Sequence, residues 1–326
     1  MKEKKEKISS CEQPAVSLKT AMEAPSAERK TSFLNKHRDA CTATIIMAPM
    51  ALWWAVVSGI PLIFAFGLGF FDWKIVTEMP EFVGLKNFIA FFTDTSYLMD
   101  LWRTVWIGTL STAVTIIGGF IIGLLLNLPI KLKGLYRTMW YLPAVTSTVA
   151  VTQVLAILLI PGQGINGLME KLGLEQIVLD TSFFWSVVAI ILFSFWRGVG
   201  SNAILWLAGL QSIEPVLYEA AEIDGANGMQ KLLNITMPGL RPMATYVIVT
   251  SIIAALQIYE PVAFISRGGP NSQTRVLTLR ILEDAYKNFD FGMAGASGLV
   301  LAIVIFTCSI TYYVFSLRSM RKGEAA

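Results

Sequence analysis

The segment YEAAEIDGANGMQKLLNITMPGL, Tyr218–Leu240, lies between two of the most apolar runs in a chain of 326 residues. Glu214, Glu219, Glu222 and Asp224 crowd its start, with no basic residue among them. A central Asp costs roughly 2.5–3.5 kcal/mol on insertion scales, so four such carboxylates would cost about 10 kcal/mol in hydrocarbon. The segment therefore lies outside lipid. Three readings remain: a loop in water, a buried ion site, or a docking surface for another protein.

The segment does not read as a floppy loop. Pro215 suits the first position of a helix, and Leu217, Ala220, Ala221 and Ile223 recur at helical spacing. Acidic residues in the early turns favour the positive end of the helix dipole. Gly225 and Gly228 permit a sharp change of direction, because glycine accepts positive φ without penalty. Leu232, Leu233 and Ile235 resume the apolar pattern, and Pro238 and Pro242 bracket the entry to the next run. The expectation is a short helix, a glycine turn and a second short helix on the membrane surface. Its small Ala220–Ala221 face either docks another backbone or packs on the protein's own spans.

Working outward, 54% of the chain is hydrophobic and 15% charged, and the mean hydropathy is +0.59. Globular domains are about 25% charged, so the composition predicts an all-α polytopic membrane protein. Runs long enough to span fall near residues 42–70, 102–128, 141–160, 182–210, 243–264 and 294–315, giving about six transmembrane helices. Pro49 and Pro61 are expected to kink the first, and Trp196-Arg197-Gly198 to divide the fourth in two. The first run starts too far from Met1 for a cleaved signal peptide.

Lys and Arg set the orientation. They crowd the first forty residues, recur at Lys131, Lys133 and Arg137, and return at Arg318, Arg321 and Lys322. With six spans these share one side, so both termini are expected in the cytoplasm of a bacterial or archaeal cell (inner) membrane. The basic residues Arg267, Arg275, Arg280 and Lys287, in an outward connection, argue the other way. Residues 1–40 read as a disordered cytoplasmic extension, 41–318 as one transmembrane domain and 319–326 as a cytoplasmic tail.

The segment resembles the "EAA" loop of permease subunits in binding-protein-dependent ABC importers: Glu-Ala-Ala, three residues, Gly, nine residues, Ile, one residue, Leu-Pro. Here Glu219-Ala220-Ala221, Gly225, Ile235 and Met237-Pro238 fit that spacing, with Met237 a similar-sized departure from Leu. FVGLKNF (Phe82–Phe88), KGLYRTMWYLP (Lys133–Pro143), LAGLQSIEPVLYEAAEIDGA (Leu207–Ala226), RGGPNSQT (Arg267–Thr274) and NFDFGMAGAS (Asn288–Ser297) are similar to segments of the carbohydrate branch, of maltose and glycerol-3-phosphate type. The resemblance implies a type I ABC importer permease with a coupling helix between spans four and five. It implies as partners a second homologous permease, two ATP-binding cassette subunits and an extracytoplasmic sugar-binding protein, in membrane lipid and without nucleic acid. Coupling to the ATPase would fall to Glu219, Ala220, Ala221, Gly225, Ile235 and Pro238. Glu219 would supply polar anchoring, Ala221 close approach and Gly225 the turn.

No Gly-x4-Gly-Lys-Ser/Thr loop is present, so ATP is expected on a separate subunit, with no cofactor on this chain. The lone His37 and the scattered Cys11, Cys41 and Cys308 suggest no metal, and no nucleophile–base pair marks an enzyme. Asp224–Gly228 lacks the ligand pattern of a calcium loop. Polar groups inside spans default to functional hypotheses, which singles out Asn202, Gln257, Tyr259 and Glu260 as a sugar path. Alternatively, Asn202 and Gln257 bond across helices and Glu260 sits at the outer interface. Competing functions are a permease for polyamines or phosphate esters, a secondary transporter and a membrane scaffold. Secondary transporters show internal repeats and intramembrane acidic groups, whereas here the carboxylates lie mostly outside the spans.

Overall fold

The computed structural model describes residues 33–74, 79–129, 131–179 and 181–324. Most of the expected N-terminal extension, with Cys11, lies outside the described residues. The part that is described is already helical, since α1 spans Phe33–Trp54. The described residues up to Pro61 and those from Leu62 onward form two compact units.

In the first unit, α1 runs through Pro49 without interruption. The irregularity sits instead in a π-helical turn at Ala55–Gly59. Helix α2 is Ile60–Gly67. A short hairpin follows in the second unit, where β1 (Phe71–Asp72) pairs antiparallel with β2 (Glu81–Phe82). Helix α3 (Lys86–Thr93) holds its base: the buried Asn87 amide donates to the carbonyls of Gly69 (3.1 Å) and Phe71 (2.8 Å).

The centre of this unit is the pair α4 (Thr95–Asn127) and α8 (Phe183–Gln211). Trp106 meets Phe183, and further along Gly119 meets Asn202 and Gly123 meets Trp206. The register rises on both helices together, so they run parallel. A β-carbon at Gly119 would fall 2.6 Å from that of Asn202, and one at Gly123 2.9 Å from that of Trp206. In lipid no hydrophobic force drives helices together, and small residues supply the close contact instead. The large outward side chains, such as Ile117, Ile121 and Leu125, remain exposed, as a lipid-facing surface requires.

Among the described residues, four helices are long and apolar enough to cross a membrane, and two bent pairs raise the number to six. That agrees with six runs in number but not in shape. The third run is a corner: α5 (Lys133–Val145) and α6 (Thr148–Leu158) meet at 87°. Thr146 and Ser147 are extended there, and the Ser147 hydroxyl caps α6. Helix α7 (Gly164–Lys171) follows. The fourth run is one uninterrupted helix, contrary to the expected division at Trp196–Gly198. Arg197 needs no break because its charge is matched by Glu260 and arginine is a good helix former.

After α9 (Pro215–Ile223), α10 (Gly228–Lys231) and α11 (Met237–Gly239), the fifth span α12 (Arg241–Leu256) turns away at 67°. It stops at Leu256 rather than near Phe264. Gln257 to Tyr259 leave the helix, and a π-helical turn covers Val262–Ser266. Helix α13 (Leu277–Tyr286) occupies the connection expected to be a loop, and α14 (Phe291–Glu324) carries the last span through the expected C-terminal tail.

Candidate functional site

The Tyr218–Leu240 segment folds as its residues dictate. Pro215 begins α9, and the helix ends in a Schellman turn: Ala226 N–H donates to the Ala221 carbonyl (2.8 Å) and Gly225 N–H to that of Glu222 (3.1 Å). Gly225 is left-handed, at φ +76°. Asn227 and Gln230 then form a reciprocal capping box on α10, through bonds of 2.9 and 2.7 Å. A π-helical turn over Leu232–Thr236 leads into α11.

Anchorage to the bundle is polar and apolar at once. The Tyr218 and Thr236 hydroxyls are 2.9 Å apart. Tyr218 and Ile235 pack on the core cluster of Trp206, Leu210, Ile213, Leu240 and Val247. Glu219, Ala220 and Gly225 are exposed, and Ala221 and Pro238 half-buried. The exposed Ala220 is not packed on the protein's own spans. Val216, Leu217 and Ile223 are exposed beside it, Ile223 at 88%. An acidic and apolar surface is thus left uncovered. Lys231 reaches back to Glu222 at 2.6 Å. Its hydrogen bond and its charge hold the Glu222 carboxyl below the usual carboxylate range. A depressed folded-state value means that the clasp persists at neutral pH and is lost only as pH falls through that lowered value.

A second feature lies where α4, α8 and the end of α12 converge. A cavity of about 690 Å³ is lined by Asn202, Gln257, Tyr259 and Glu260, together with the hydroxyls of Thr115 and Ser194. The four residues singled out in the sequence thus share one cavity. The termination of α12 at Leu256 brings three of them there. Irregular backbone at membrane depth is tolerated where it lines a cavity.

The Asn202 amide donates to the Gly198 carbonyl on its own helix (3.2 Å), not across to a neighbour. Glu260 is ion-paired with Arg197 of α8 and accepts from the Thr148 hydroxyl of α6 at 2.8 Å. Sequence reasoning missed Arg197 as a lining residue, although a guanidinium inside an apolar run was signal enough. Thr148 carried no signal. Among the described residues, Arg197 and Glu260 are the only charged ones lining the cavity, so this lining is electrically neutral.

At the other end of α4 lies a buried charge network that the sequence did not suggest. Asp100 is fully buried and accepts from Arg103 (2.7 Å) and from Arg275 Nε (2.8 Å), with Arg280 at 4.0 Å. Arg280 also pairs with Asp284 at 3.3 Å and lies 4.3 Å over the Tyr97 ring. Lys287 pairs with Glu283 at 2.8 Å.

Residues 115–321 match the family model of binding-protein-dependent transport system inner membrane components. The chain is 29% identical over 292 residues to the sulfoquinovosyl glycerol transport system permease protein SmoG of Agrobacterium fabrum, covering 88% of this chain and 92% of that one. It is 31% identical over 245 residues to the multiple sugar-binding transport system permease protein MsmF of Streptococcus mutans, covering 74% of this chain and 83% of that one. The fold resembles a chain of a bacterial alginate ABC transporter crystallised with an alginate pentasaccharide-bound periplasmic protein: TM-score 0.76, 22% identity, 89% of this chain and 99% of that one.

Proposed function

We propose, since this chain belongs to the family of binding-protein-dependent transport system inner membrane components, that it is one of two unlike permease subunits of an ATP-driven importer for a sugar or oligosaccharide. One observation carries the choice of solute: a cavity whose amides, hydroxyls and aromatic ring surround a neutralised ion pair. A polyhydroxylated neutral molecule needs hydrogen-bonding groups and an aromatic face. A phosphate ester would need a free cation and a polyamine a free carboxylate, and Arg197 and Glu260 already neutralise each other. The multiple-sugar name of MsmF's system supports the same choice, and SmoG's solute is a sugar glycoside too, although its sulfonate is charged.

In this reading two ATP-binding cassette subunits hold the ATP, and one of them docks on residues 219–238 of this chain. Glu219 anchors by charge, Ala220 and Ala221 admit close approach, Gly225 sets the turn, and Ile235 and Pro238 tie the element to the spans. Charge complementarity there sets register more than affinity. An extracytoplasmic binding protein delivers solute to the opposite face.

In the proposed orientation both termini and residues 214–238 lie in the cytoplasm. Three of the four basic residues of the outward connection, Arg275, Arg280 and Lys287, are each matched by a carboxylate, which leaves Arg267 alone against this orientation. In a cysteine-free background, Glu219→Cys is expected to react with an impermeant maleimide only in inside-out vesicles. Labelling of intact cells would reverse the topology.

Gln257→Leu removes an amide from the cavity at an exposed helix end. Uptake of sugar by proteoliposomes holding the full complex and its binding protein is expected to fall roughly tenfold, the worth of one good hydrogen bond to substrate. Assembly with the partner subunits should be unchanged. Uptake at the wild-type rate in both Gln257→Leu and Asn202→Leu would remove the cavity from the path.

A further inference from the structure

An apolar groove of about 270 Å³ opens between the end of α4 and the start of α5, lined by Ile122, Leu125, Leu126, Leu128, Tyr136 and Trp140. Lys133, Tyr136, Arg137 and Trp140 recur at intervals of three and four along α5, so they share one face. The Lys133 ammonium reaches the Asn127 carbonyl at 3.4 Å, which places it at the terminus of α4 beside the groove. Arg137 Nε is buried and has no hydrogen-bond partner. Lys131 is exposed just before the helix.

What marks these cations is that three without a carboxylate gather at one apolar groove; Lys171, Arg241, Arg267 and Arg318 also lack one among the described residues, but none of them lies on α4 or α5. Arg103, Arg197, Arg275, Arg280, Lys231 and Lys287 each have a carboxylate of this chain. Among the described residues, Lys131, Lys133 and Arg137 have none within 4.0 Å. A half-buried guanidinium without an anion beside it costs free energy. Tyr136 and Trp140 are the amphipathic rings that settle at the headgroup level of a bilayer.

We propose that this groove binds an anionic phospholipid. One acyl chain lies against Leu125 and Leu128, the phosphate meets Arg137 and Lys133, and Lys131 adds charge at the rim. Basic pockets between helix ends hold anionic headgroups in this way. Because α4 and α8 are parallel, the site is at the same end of the bundle as residues 214–238. The assignment does not depend on which solute the transporter carries.

The test uses the complete transporter, purified and reconstituted into nanodiscs of phosphatidylcholine with or without phosphatidylglycerol. Native mass spectrometry counts the lipid retained, and thermal unfolding reads its effect. The wild type should retain phosphatidylglycerol over phosphatidylcholine and melt higher in its presence. Loss of each cation should lower that preference roughly fivefold, and Lys131→Gln/Lys133→Gln/Arg137→Gln together on the order of a hundredfold.

Those charges also help set orientation, so a second variant leaves them intact. Leu125→Trp fills the groove from a position 55% exposed and should abolish the same preference with topology unchanged. Soluble glycerol phosphate should neither bind nor raise the melting temperature, since it lacks the chain. Equal retention of both lipids by the wild type, full preference in Leu125→Trp, or a cross-link from Trp140→Cys to another subunit would overturn the assignment.

Discussion

Replacing Gly225 with valine is expected to lower solute uptake by the assembled transporter roughly ten- to a hundredfold, with insertion into the membrane preserved. The effect is conformational. Gly225 sits at φ +76°, and a β-carbon built there meets nothing within 4 Å, so no clash contributes. A left-handed backbone costs an ordinary residue about 1–2 kcal/mol and a β-branched one more, and each 1.4 kcal/mol is tenfold. The chain can avoid that cost by giving up the Schellman turn. The two bonds that the turn makes to the Ala221 and Glu222 carbonyls would then be lost, and α9 would no longer meet its partner at the angle set by Tyr218 and Ile235.

Graded substitutions separate this cause from mere sensitivity of the loop. Asparagine tolerates the left-handed region and should retain most of the uptake, with alanine between asparagine and valine. The measurement pairs uptake with ATP hydrolysis by the same proteoliposomes. Hydrolysis that continues without uptake, or loss of the ATPase subunits on purification, is the expected signature. A valine variant that transports as the wild type does would show that the turn has no part in coupling.

The turn at Gly225 was legible because its determinants are local: a proline to start a helix, small residues along it, and a glycine at the stop. The number of spans was legible from runs of apolar residues for the same reason. The corners were not. Averaged hydropathy does not distinguish a straight span over residues 141–160 from two helices meeting at Thr146–Ser147, since both bury the same side chains. Nor does it reveal that α12 ends at Leu256, because Gln257–Glu260 is followed at once by another apolar stretch. Asn202, Gln257, Tyr259 and Glu260 stood out as costly polar groups, but their convergence depends on that unseen break. The division expected at Trp196–Gly198 failed for the opposite reason. The charge of Arg197 is met by Glu260, a partner 63 residues away in sequence, and no local rule reports such a partner.

The same limit hid the network around Asp100, whose removal is the severest structural change foreseen here. Asp100 is wholly buried and Arg275, which pairs with it, is 175 residues distant. Together with Leu277 N–H donating to Thr104 Oγ1 at 2.7 Å and Tyr97 donating to Asp284 at 2.8 Å, the pair fixes α13 to the start of α4. Asp100→Ala leaves the guanidinium groups of Arg103 and Arg275 half-buried without an anion. Breaking a buried pair from one side costs about 3–5 kcal/mol, a large part of the roughly 5–15 kcal/mol that holds a typical domain folded.

The expected result is a steep drop in the melting temperature of the purified complex and proteolytic cutting within residues 267–290, before any effect at the 214–238 element. The Lys287–Glu283 pair is exposed on its lysine side, and Lys287→Ala should change stability by about 0.5 kcal/mol or less. Replacing both partners, in Asp100→Leu/Arg275→Met, removes the unpaired charge and should recover part of the loss. If Asp100→Ala melted with the wild type, Arg103 and Arg275 would have to be solvated where they lie, and α13 would be held by its apolar face alone.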